Sequence, residues 1–175
     1  MKKLLTILFL TILTCESSLA VDNWEIEKVL NDKFTEVSTH GIVTHGDRYR
    51  LHIRNNGVCK AVEDGFTFYT TVNHPDILNI KGKKILLEAF GQKILGDVKI
   101  SMPAMMGHLV WITTGLYDLD EHIKFLAQYE KLEVNLISVI SDIEKKIGSR
   151  AEEFFDIQNN SWDLTNAPEA LQKGK

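Results

Sequence analysis

The run Arg48-Tyr49-Arg50-Leu51-His52-Ile53-Arg54 alternates strictly between basic and apolar side chains. A period of two puts successive side chains on opposite faces of an extended strand. A helix would mix Tyr49, Leu51 and Ile53 with the four basic residues around one barrel of side chains, so this segment is a half-buried β-strand that needs partners. Residues 44–47, Thr-His-Gly-Asp, have turn composition and place Ile42 and Val43 in a partner strand.

Other segments repeat the pattern. Residues 66–72 are aromatic and β-branched, and residues 84–90 and 93–100 flank Gly91-Gln92 as a hairpin. Residues 108–114, 132–136 and 154–157 are further strand candidates. Residues 22–34 read as a helix, with Asp22 as cap and Trp24, Ile26, Val29, Leu30 and Phe34 as its apolar stripe. A second helix lies near residues 118–129, where Asp118 caps, Glu121 completes a capping box and Leu119, Ile123 and Leu126 face inward. His122 is placed on its exposed side. Residues 167–172 form a short terminal helix with Pro168 in its first turn. Strands and helices do not alternate. The expected fold is α+β or mainly β, an antiparallel sheet or sandwich with an N-terminal helix and a second helix near residues 118–129.

The N-terminus bears on location. Lys2 and Lys3 precede an apolar stretch over residues 4–14, and Ser18-Leu19-Ala20 offers small residues for a signal peptidase. Residues 1–20 are read as a signal peptide cut near Ala20, and residues 21–175 as a single globular domain of the periplasm or secreted medium. The apolar stretch is too short for a transmembrane segment. Thr14 is larger than the residue a lipoprotein signal puts before its cysteine, so lipid anchoring at Cys15 is the minor alternative.

Hydrophobic residues make up 44% of the chain, which excludes a disordered protein. The net charge is −4, and removing the +1 carried by Lys2, Lys3 and Glu16 leaves −5. That balance argues against nucleic acid as a partner. Cys59 is the sole cysteine after Ala20, so no intrachain disulfide staples the domain. A buried thiol, or one paired between chains, are both open, as is the oligomeric state.

The segment from Leu116 to Leu171 resembles the end of the invasion-associated locus B family of secreted proteins. It shares a short amphipathic helix (Leu119 to Leu126) and the strand Lys131-Leu132-Glu133-Val134-Asn135-Leu136. A second strand, Phe155-Asp156-Ile157, then runs through Trp162-Asp163-Leu164 to Ala170-Leu171. The likeness covers about a third of the chain. It implies a β-sandwich-like secreted domain and brings no catalytic residues with it.

Two clusters are candidate sites. Arg48, Arg50, His52 and Arg54 project from one strand face about 7 Å apart at each step. Such a row suits a carboxylate or phosphate, and so an acidic protein or envelope component. It equally suits a solvated face that pairs with the protein's own acids or guards a sheet edge. Met102, Met105, Met106 and His108 form the second cluster. Thioethers bind cuprous copper, and they also fill gaps in cores. No G-x-S-x-G elbow, P-loop, dinucleotide fingerprint or paired-histidine metalloprotease helix is present.

The expected function is a secreted, non-enzymatic binding domain of the bacterial envelope that recognises another protein, in an inhibitor, immunity or host-interaction role, without a cofactor. The alternatives are a periplasmic copper binder using the Met/His cluster and a small envelope hydrolase. A His–carboxylate or His–Cys pair in a concave pocket would mark the hydrolase.

Overall fold

A computed structural model describes residues 19–44, 46–55, 60–142 and 147–175. The signal-like segment up to Ser18, with Cys15, lies outside the described residues, as do His45 and Cys59.

One antiparallel sheet of eleven strands dominates. In chain order they are β1 (Leu19–Val21), β2 (Trp24–Val29), β3 (Phe34–His40), β4 (Arg48–Arg54), β5 (Ala61–Thr70), β6 (Lys84–Ala89), β7 (Gln92–Ala104), β8 (Gly107–Asp118), β9 (Lys131–Asp142), β10 (Ile147–Arg150) and β11 (Asn159–Asp163). In space the order is β1-β2-β3-β4-β5-β8-β7-β6-β9-β10. β11 pairs the N-terminal half of β9, on the edge whose C-terminal half carries β10. Two α-helices are described, α1 (Leu119–Leu126) and α2 (Ala167–Gly174), and α2 packs on α1, β2 and β3.

The mainly-β expectation holds, and the N-terminal helix does not. Residues 22–34 form β2, a reversal and the start of β3. Trp24 and Ile26 alternate with Glu25 and Glu27, and hydrogen bonds to β1 and β3 on either side satisfy that period of two. Leu30, Asn31 and Asp32 all have φ near +55°, a left-handed reversal that ends any helix. Leu30 is 70% exposed rather than in an apolar stripe. Asp22 caps nothing and sits in the tight β1–β2 turn at φ +47°.

Three smaller expectations also shift. Ile42 and Val43 are exposed loop residues, and β4 pairs β3 and β5 instead. The β6–β7 hairpin turns on Phe90-Gly91, both at positive φ, with Ala89 opposite Gln92. Residues 154–157 are not a strand. A 3-10 turn over Ala151–Glu153 leads into Phe154 and Phe155, which are consecutive and both buried, as no half-buried strand allows. The expected second helix and the terminal helix form as α1 and α2, with the Asp118 carboxylate accepting from the Glu121 N–H at 3.0 Å.

The sheet curls far enough for its two flanks to meet. The loop between β3 and β4 reaches β11, where the Ile42 N–H donates to the Ser161 carbonyl at 2.8 Å. Asn160 seals the joint: its carboxamide oxygen accepts from Val43 N–H, and its Nδ2 donates to Asp47 Oδ2 at 2.8 Å. Asp47 Oδ1 accepts from the Tyr69 N–H at 2.7 Å. Inside the curl, Tyr49 stacks on Phe66 with centroids 5.2 Å apart, and Trp162 lies against Tyr49, Phe66 and Phe68.

Burial pushes the Asp47 carboxyl up to about 6, although its two hydrogen bonds pull the other way and Asp156 adds to the rise. The folded protein therefore holds this proton more tightly than the unfolded chain, whose group titrates near 3.8. The stability contributed by the proton is present below about pH 4 and is lost as pH rises to about 6. The advantage of the wild type over Asp47→Asn should shrink across that window, by at most ~1.4 kcal/mol per pH unit. Urea denaturation of both proteins at a series of pH values measures it, and a constant difference would contradict it.

Candidate functional site

β5 carries an inward row of Val62, Asp64, Phe66 and Phe68, all buried. Asp64 therefore occupies a core position. The β5–β8 pairing slips there, because Asp64 faces Gly115 and Gly65 faces Thr113, leaving Thr114 as the extra residue of a bulge. The next residue has to be glycine, since a Cβ on Gly65 would come within 2.6 Å of the Ile112 carbonyl oxygen.

Two groups converge on Asp64. The Tyr49 hydroxyl donates to its Oδ2 at 3.0 Å, and His122 Nε2, from α1, lies 3.1 Å from the same oxygen. The geometry of this second contact does not make a hydrogen bond. Asp64 Oδ1 has no donor among the described residues. Burial, and after it the adjacent Asp64 carboxyl, pushes the Tyr49 phenol well above its ordinary value and keeps it a donor. His122 is 5% exposed, which corrects its expected place on the outer side of the helix. Position 122 shares the inward stripe of Leu119, Ile123 and Leu126.

Asp64 and His122 line a cavity of about 370 Å³ and are among its buried members. Tyr117 stacks on the imidazole at 4.9 Å, nearly parallel. Phe90, Phe125 and Tyr129 make a mutually packed wall with centroids 4.8 to 5.2 Å apart. Gln92, Asp118 and Glu121, all exposed, stand toward solvent. The hairpin turn at Phe90-Gly91 and the N-cap of α1 thus deliver the two sides of the opening.

The basic row of β4 projects from one face as expected, but acids of β2 and β3 answer it. Arg48 pairs with Glu25 at 2.7 Å and also meets His40. Glu36 is shared by Arg50 and by His52, the latter at 2.9 Å. Burial alone would raise the Glu36 carboxyl, yet the His52 hydrogen bond and the charges of Arg50 and His52 outweigh it and hold it below its usual value. Arg54 is exposed at the end of the row.

Met102 and His108 stand on paired strands, and Met105 and Met106 form the turn of the β7–β8 hairpin. The register sets Met102 opposite Leu109 and His108 opposite Pro103, so Met102 and His108 lie on opposite faces. Met105 and Met106 are fully exposed and fill no gap in the core. Replacing both with Leu should change stability by no more than about 0.5 kcal/mol. The same variant tests copper: a cuprous titration that does not distinguish it from the wild type removes these two thioethers as ligands.

No helix among the described residues is long and apolar enough to cross a membrane. No family model matches the chain, and no curated protein or solved structure matches it.

Proposed function

We propose that this protein is a secreted, non-enzymatic binding module of the bacterial envelope, and that the pocket between α1 and the β6–β7 hairpin seats the group it recognises. One observation carries the reading: a concave, aromatic-walled cavity has a buried carboxyl and an imidazole in its lining. Pockets of this size, apolar with a few convergent polar groups, are the usual form of a ligand site. The β4 row supports the pocket by contrast, since Glu25 and Glu36 already answer most of its charge. The signal-like N-terminus and the likeness of residues 116–171 to secreted invasion-associated locus B proteins support the location. Gln92→Trp, at the mouth, tests the site. Envelope extract should yield a ligand by native mass spectrometry that the wild type retains and the variant does not. Equal retention would move recognition elsewhere.

A second reading, a small hydrolase, rests on the His122–Asp64 pair in that same concavity. Turnover of a chromogenic ester, phosphate or glycoside that disappears in His122→Asn would establish it. Activity unchanged in that variant would separate it from this site.

A further inference from the structure

The charge and the ring arrangement of the pocket narrow what it takes. Its lining includes three carboxyl groups, Asp64, Asp118 and Glu121, and neither Lys nor Arg. The single imidazole turns its Nε2 toward Asp64. Asp64 is 3% exposed, and its Oδ1 meets no donor among the described residues. A buried carboxyl short of donors favours positive charge nearby. Phe90, Tyr117, Phe125 and Tyr129 line the same cavity, and aromatic rings attract cations rather than anions.

Resting on the binding reading above, we propose that the pocket recognises a small organic cation whose alkylated ammonium group sits among these rings within reach of the Asp64 carboxyl. An ammonium bearing methyl groups suits the site better than a metal ion, because most of the lining is apolar and offers faces rather than lone pairs. It also explains the rim: Asp118 and Glu121 add negative potential at the opening and draw cations in.

Choline and its uncharged isostere 3,3-dimethyl-1-butanol test this, since they share shape and differ in charge. Both are titrated into the protein and followed by NMR. Choline is expected to shift resonances of Phe90, Tyr117, His122, Phe125 and Tyr129, and to bind at least about tenfold more tightly than the isostere. Phe125→Leu keeps apolar bulk and removes a ring face, so it should weaken choline about fivefold and leave the isostere nearly unaffected. Glu121→Gln, at an exposed position, should weaken choline and flatten its salt dependence without risk to the fold. Equal binding of the two probes would overturn the cation preference while leaving the pocket a binding site. No shift of these residues with either probe would overturn both.

Discussion

Replacing Trp162 with Ala should lower the free energy of unfolding by about 3–5 kcal/mol, the range for deleting a large buried aromatic side chain. Trp162 is fully buried and touches three other rings, Tyr49, Phe66 and Phe68. It is also the central anchor of β11, a five-residue strand that holds both β9 and the loop between β3 and β4. A cavity there removes packing from both flanks of the curled sheet at once. The indole N–H has no acceptor among the described residues, so Trp162→Phe, which discards that donor and keeps a ring, should cost much less, about 1–2 kcal/mol. Urea unfolding followed by circular dichroism separates the two. Equal losses would mean that the full indole volume, and not merely an aromatic ring, is required.

His122→Ala should cost about 2–5 kcal/mol, because it truncates a buried ring in the inward stripe of α1 and leaves Asp64 in contact with Tyr49 alone. Asp64→Asn should cost less, about 1–3 kcal/mol, since the amide keeps an oxygen to accept the Tyr49 hydroxyl and brings no charge into the core. The double variant should then fall well short of the sum of the two, as expected for residues that share one interaction. Strict additivity in a denaturation cycle would show that the 3.1 Å approach contributes nothing to stability.

Those two residues also mark where the sequence was hardest to read. The strand over Arg48–Arg54 and the Asp118 cap of α1 were legible because each announces itself locally, one by alternation and the other by a capping pair. Asp64 lies upstream of the aromatic, β-branched run from Phe66 that marks the strand locally. Extending the same alternation backward through Asp64 to Val62 would have exposed a carboxyl in phase with core aromatics. His122 carried a comparable signal in its helical phase with Leu119 and Leu126. Residues 22–34 failed for a different reason. Short apolar runs fit both periods, and only the cross-strand partners, far away in sequence, choose between them. β11 carries no local strand signal, because Asn159-Asn160-Ser161 has loop composition and Asn160 spends its polar groups on the joint with the loop between β3 and β4.

Among the described residues the sheet ends, beyond β9, in a strand of four residues, and β11 covers the rest of that edge. The long strand β9 therefore presents no open hydrogen-bonding flank of its own length among the described residues. A chain this rich in strand would otherwise stack edge to edge with its copies. At that edge β9 leaves a second copy little free backbone to pair with.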